Sequence, residues 1–127
     1  MIWRGDEVLL IRRGHPPLQG QWSIPGGRQK WGETARQCAL RELKEETGLE
    51  AEILGLIDIV DAIYHDGGVD YHFTFIDFAA RIIGGSLKAG DDAAEACWHP
   101  ATSLGALALW PETLRVIQAA KSFFVPP

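Results

Sequence analysis

The sequence predicts a mixed α/β domain. Apolar runs of strand character lie on both sides of one sharply delimited helix, a His-Asp-Gly-Gly hairpin signal separates two of the later runs, and a proline-opened helix stands near the C-terminus. The resulting order of strands, helix, hairpin, strand and helix differs from a regular βαβ repeat. The chain has 127 residues, 46% of them hydrophobic, which is the length of one domain spanning 1–127 with material for an ordinary core.

Taken in order, Glu7 to Arg12 (EVLLIR) reads as a buried strand, and Ile2 and Trp3 either begin it or pair beside it. Gly14 to Gly20 (GHPPLQG) is loop punctuation. Trp22 to Ile24 is a short extended piece that stops at Pro25-Gly26-Gly27. The helix that follows has marked ends. Thr34 with Gln37 three residues on fits a capping box, and Gly48 fits the left-handed position past the last turn, with Leu49 placed to touch Leu43. Ala35 to Thr47 is therefore helical, roughly 20 Å long. Glu50 to Tyr64 is strand, His65 to Gly68 a hairpin turn, and Val69 to Ile83 an alternating strand with Tyr71, Phe73 and Phe75 on one face and His72, Thr74 and Ile76 on the other. Ala94 to His99 is a further strand. Pro111 sits at the first position of a last helix that turns Leu114, Val116 and Ile117 inward.

Composition excludes several classes. No apolar run reaches about 18 residues, so no transmembrane helix is expected. The opening Met1-Ile2-Trp3-Arg4 lacks the regions of a signal peptide, which points to the cytoplasm. Cys38 and Cys97 lie far apart without a CxxC pair and read as reduced, mostly buried thiols. The net charge of −5 argues against a nucleic-acid binder. It leaves room for a small phosphorylated ligand, because a bound divalent cation reverses the local field.

Gly27 to Leu49 carries the chemistry. Gly27 is followed after five residues by Glu33, and after seven more by Arg41-Glu42-Leu43-Lys44-Glu45-Glu46-Thr47-Gly48-Leu49. At 100° per residue Glu42, Glu45 and Glu46 fall on one side of the helix. Like charges at such spacings cost a few tenths of a kcal/mol per pair, so stability alone would not choose them. A hard cation between them accounts for the choice, and oxygen ligands without a His or Cys cluster select Mg²⁺ or Mn²⁺. The preceding turn offers only Ala35, Cys38 and Ala39, which leaves room for a loop to approach, while Leu40 and Leu43 face the other way. A solvated acidic helix paired to Arg36, Arg41 and Lys44 is the plainer reading of a bare Glu-x-x-Glu-Glu. Gly26-Gly27 is either a simple turn or a point of close backbone approach.

This spacing resembles the Nudix box at every specified position. Seven positions demand one residue type and two an apolar residue, a coincidence on the order of one in 10¹⁰ at a given start. Val8 to Arg13 and Trp22 to Gly27 look like the strands that precede the box in that family. The chain looks short before Gly5, where members usually have more strand. The resemblance implies a mixed β-sheet sandwiched between helices, and hydrolysis of a nucleoside diphosphate linked to another moiety. It implies that Glu42, Glu45, Glu46 and the carbonyl of Gly26 hold Mg²⁺, with Mn²⁺ as a substitute. Arg41 would orient Glu42 or Glu45, and Glu33 would pair with Arg41 or steady the loop, with Gly27 and Gly48 shaping its ends. The base that activates water would come from the box helix, at Glu42 or Glu45, or from a later loop, where Glu95 follows Gly90-Asp91-Asp92 and precedes Trp98 by three residues.

For the substrate, Tyr71-His72-Phe73, Ile76-Asp77-Phe78 and Gly90 to Glu95 look most like the compact bacterial members grouped as ADP-ribose pyrophosphatases, which would release AMP and a sugar phosphate. Arg12 and Arg28 are candidates for phosphates, and Tyr71 and His72 for the base. Two other expectations compete: a nucleoside triphosphate pyrophosphatase that removes oxidised nucleotides, and a Nudix module that binds a nucleotide sugar without cutting it. A homodimer is compatible with the resemblance.

Overall fold

The computed structural model describes residues 1–90 and 93–124. Its elements are β1 (Trp3–Arg4), β2 (Glu7–Arg13), β3 (Trp22–Ser23), α1 (Ala35–Thr47), β4 (Leu49–Asp66), β5 (Val69–Gly85), β6 (Ala93–Pro100), a 3₁₀ turn (Ala101–Leu107), α2 (Pro111–Ala120) and a short 3₁₀ turn at Lys121–Phe123.

Strand β2 is central. Its residues Val8, Leu9 and Leu10 are fully buried, as a strand covered on both faces requires. It pairs antiparallel with β1 and β3 along one edge and with β6 along the other, where Leu9 faces Trp98 and Arg12 faces Glu95. Ile2 and Trp3 thus lie beside the strand and do not begin it. β4 and β5 form a long antiparallel hairpin whose register shifts three times between Glu50 and Asp58. Met1 links the two ladders. Its nitrogen donates to the Phe78 carbonyl (2.7 Å) and its carbonyl accepts from the Ala80 N–H (3.1 Å), which is the pattern of parallel strands and makes the sheet mixed.

The period-2 alternation of β2 divides the core. Val8 and Leu10 pack with Trp3, Leu104, Ile117 and Ala120 under α2. Leu9 packs with Ile2, Leu43, Leu49 and Ala80 under α1. Each such aliphatic side chain contributes about 1.5–3 kcal/mol on burial. One helix on each face gives the expected α/β/α sandwich. Leu40, expected to anchor α1 with Leu43, is only half-buried, and Cys38, Glu46 and Thr47 join Leu43 on the buried side. In the last turn of α2 the Ile117 carbonyl accepts the Trp3 Nε1–H (2.8 Å), which satisfies a group that a helix end otherwise leaves open. Both cysteines are free thiols, Cys38 buried and Cys97 half-buried. Among the described residues no helix is long and apolar enough to cross a membrane.

Candidate active site

The acidic helix is fixed at both ends by local chemistry. Thr34 Oγ1 accepts the Gln37 N–H (3.1 Å) and Gln37 Oε1 accepts the Thr34 N–H (2.9 Å), the reciprocal capping box expected from the sequence. Gly48 closes the other end at φ 76°, its N–H on the Lys44 carbonyl (2.8 Å). The N–H groups of Lys88 and Gly90 bind the carbonyls of Thr47 (2.8 Å) and Glu46 (3.2 Å), so the segment leading to β6 is fastened to the last turn.

Within this frame one guanidinium organises the acids. Arg41 Nε and Nη2 grip both oxygens of Glu33 (2.6 and 2.9 Å), a bidentate pairing that pins the preceding loop to the helix. Its Nη1 donates to Glu42 Oε1 (2.7 Å) and to Glu45 Oε2 (2.9 Å). Its Nη2 also reaches the Arg28 carbonyl (3.0 Å). Arg41 thus bonds both Glu42 and Glu45, and Glu33 bonds both Arg41 and the loop N–H of Lys30. Glu33 is driven down to a pKa of about 2, first by the Arg41 hydrogen bond and then by the Lys30 N–H. The same bonds to Glu33 and Glu42 raise Arg41 further above its already high value.

The glycine pair meets the helix at close range. The Gly26 N–H donates to Glu46 Oε1 (2.7 Å), and Glu46 is 5% exposed. A Cβ on Gly27 would overlap the Glu42 carboxylate, so any larger residue here would push that carboxylate from its present place. The Gly27 carbonyl lies 3.7 Å from Cys38 Sγ, an approach that the small side chain permits. Burial is the main reason the Cys38 thiol has a raised pKa, with the charge of Glu33 next.

The donor set is made of hard oxygens crowded against a backbone turn, and it fits a divalent cation such as Mg²⁺. The expected joint grip on one ion is not formed as the side chains stand, for among the described residues no three acidic, histidine or cysteine groups close on one point. The three carboxylates have separate partners: Arg41 holds one oxygen each of Glu42 and Glu45 on a single nitrogen, and the Gly26 N–H holds Glu46.

Other sequence candidates are placed as follows. Glu95 on β6 forms an ion pair with Arg12 (2.6 Å), so the later base and one phosphate candidate engage each other. Asp91 and Asp92 lie outside the described residues. Arg28 lies over the Phe73 ring (5.4 Å). Phe73 belongs to a row of rings in which Tyr64 stacks on Tyr71 (5.3 Å), Tyr71 on Phe73 (6.0 Å) and Phe73 on Phe75 (6.1 Å). Tyr71 is thus in line with Arg28 and the box loop. His72 is exposed on the opposite face of β5, as the alternation predicts, so it and Tyr71 do not meet one base together. Phe73 carries the Arg28 contact and was not singled out. Trp31, inside the loop between Gly27 and Glu33, is fully exposed and was not singled out either.

The NUDIX domain family matches residues 1–120. The chain belongs to that family. The ADP-ribose pyrophosphatase of Methanocaldococcus jannaschii is 38% identical over 108 residues, covering 85% of this chain and 63% of that protein. The human 8-oxo-dGDP phosphatase NUDT18 is 34% identical over 122 residues, covering 93% of this chain and 36% of that protein. This Nudix domain therefore spans less than two thirds of either relative. A NUDIX hydrolase from Nitrosomonas europaea has the same fold, with a TM-score of 0.79 at 21% identity over 95% of this chain and 84% of that one.

Proposed function

We propose that this Nudix domain hydrolyses the P–O–P linkage of a nucleoside diphosphate joined to a second group, with ADP-ribose or a related ADP-sugar as substrate and AMP and a sugar phosphate as products. The observation that carries the reading is the Arg41 network, in which Glu33, Glu42 and Glu45 share one guanidinium while Glu46 is held by the loop that Glu33 secures. An acidic face kept merely for solubility would not be wired to a glycine turn so close that a single methyl group on Gly27 would displace Glu42.

In this reading Glu42, Glu45, Glu46 and the Gly26 carbonyl hold Mg²⁺, or Mn²⁺ in its place. When bound, the cation neutralises phosphate oxygens and lowers the pKa of water. Arg41 keeps Glu42 and Glu45 on the loop side of the helix. Glu45 is the most exposed member of the network and is held through one oxygen, which suits it to take the proton from the attacking water. Glu95 is the weaker candidate, because it would have to do so against its bond to Arg12. The row Tyr64, Tyr71, Phe73 and Phe75 offers a base a flat surface, and Arg28 at its edge a cation for phosphate. Arg12 and His72 have no part in this arrangement. The name of the archaeal relative supports ADP-ribose as the first substrate to assay.

The test is hydrolysis of ADP-ribose, ADP-sugars, 8-oxo-dGDP and deoxynucleoside triphosphates with Mg²⁺, with products identified by chromatography and mass spectrometry. Release of AMP and ribose 5-phosphate, abolished by chelation, supports the reading. Release of pyrophosphate from triphosphates alone moves it to the second enzyme class, and no metal-dependent hydrolysis of any substrate leaves only a binding module.

A further inference from the structure

Trp31 is 101% exposed, so its ring packs against none of the described residues. Tryptophan is among the residues most buried on average, and one held entirely in solvent calls for an explanation. Flexibility does not supply one. Lys30, Trp31, Gly32 and Glu33 form a tight turn in which the Glu33 N–H binds the Lys30 carbonyl (3.0 Å) and Gly32 takes φ +82°, the left-handed angle that the third position of a type II turn demands. The Lys30 N–H binds Glu33 Oε1 (3.1 Å). The same Glu33 carboxylate is clamped on Arg41, which holds Glu42 and Glu45. The ring is thus carried on a backbone wired to the acidic cluster, with its own χ1 and χ2 as the freedom left to it.

Its neighbours fit a phosphorylated ligand with a flat group. Arg28 and Lys30 place two cations on this loop in a chain of net charge −5. Arg28 reaches the separate aromatic row through Phe73, while Trp31, three residues on and within about 11 Å of extended chain, stands clear of that row. The loop therefore carries an exposed indole and, through Arg28, a contact with a separate aromatic row.

We infer that Trp31 is a stacking site for a second planar group of the ligand, carried on the far side of the diphosphate from the base that lies on the Tyr71 row, so that a diphosphate with a planar base at each end gains a contact that ADP-ribose does not make. The inference rests on the function proposed above. The reaction is unchanged: water adds its oxygen to one phosphorus, the bridging P–O bond breaks, and the proton ends on the departing phosphate.

A matched pair of substrates tests it. Diadenosine diphosphate is ADP-ribose with a second adenine on the distal ribose, and both are cut by the same addition of water. Steady-state kinetics on wild type, Trp31→Ala and Trp31→Phe should give a KM for diadenosine diphosphate raised roughly 5- to 100-fold in the alanine variant, the range expected for losing one base stack. The phenylalanine variant should recover most of the loss, and the KM for ADP-ribose should stay within about twofold throughout. Diadenosine diphosphate, and not ADP-ribose, should shield wild-type tryptophan fluorescence from iodide. The side chain packs against none of the described residues, so the thermal midpoint of the alanine variant should match wild type. Equal KM changes for both substrates, or no change for either, overturn the assignment of Trp31 while the hydrolase reading stands. Wild type cutting ADP-ribose but not diadenosine diphosphate overturns this inference alone, and wild type cutting neither removes the ADP-sugar reading and this inference with it.

Discussion

Glu46 separates the structural from the chemical work of the site. Its carboxylate is almost wholly buried and accepts the Gly26 N–H at 2.7 Å, so it both fastens the glycine turn and supplies negative charge. Replacing it with glutamine keeps an acceptor of the same shape and removes the charge. Replacing it with alanine removes both and leaves a part-buried N–H without its carboxylate. A hydrogen bond to a charged group is worth about 1.5–3 kcal/mol, against about 1 kcal/mol for a neutral one. Glu46→Ala should therefore lose about 1.5–3 kcal/mol, which for a domain of this size is a fall in Tm of roughly 5–15 °C. Glu46→Gln should lose about 1 kcal/mol, offset by a few tenths as the like charge opposite Glu42 disappears. Activity should sort differently, with both variants losing on the order of 10²–10³ in metal-dependent kcat because the charge is gone from each. Urea unfolding followed by tryptophan fluorescence measures the first quantity and product release at saturating ADP-ribose the second. If Glu46→Gln turns over within about threefold of wild type, the metal role assigned to this carboxylate is wrong. If Glu46→Ala is no less stable than Glu46→Gln, so is the structural one.

Three further outcomes follow from the same geometry. Gly27→Ala puts a methyl group into the Glu42 carboxylate, so kcat should fall at least about tenfold with a stability loss of about 1–3 kcal/mol, and circular dichroism should still report a folded domain. Glu33 has a depressed pKa, so the stability it lends the loop is complete above its ordinary value of 4.5 and is lost as pH falls through about 2. Pepsin should accordingly cut between Arg28 and Thr34 slowly at pH 4 and quickly near pH 2, whereas Glu33→Gln should be cut quickly at both. The Cys38 thiol is buried with a raised pKa, so iodoacetamide at pH 8 should leave it unmodified in the folded domain and label it after denaturation, as read by peptide mass spectrometry.

What the sequence revealed was what neighbouring residues decide among themselves. The bounds of α1 were legible to the residue because Thr34, Gln37 and Gly48 are local signals whose partners lie within one turn. The hairpin turn was legible in Gly67-Gly68 for the same reason, while the strands beside it run a residue or two further than their composition suggested. Pairings between distant segments were hidden. Nothing in the local pattern sets Arg12 against Glu95 across 83 residues, and that bond changes the standing of both as site residues. The box acids were identifiable from their spacing, but their present partners were not, since those depend on where one guanidinium settles among several carboxylates. Trp31 was visible as a letter within the loop, whereas its complete exposure is a property of the turn that carries it.

The fastening of Gly90 and Lys88 to the last carbonyls of α1 also bears on where this chain tolerates added length. A Cβ on Gly90 would come within 2.6 Å of the Glu45 carbonyl, so that connection works as a splice, and extra residues there would push the acidic helix off its seat. The hairpin tip is the opposite case. A Cβ on Gly67 or Gly68 would meet nothing within 4 Å, so extra residues between them, three residues away from the Tyr64–Tyr71 stack, have room without displacing α1.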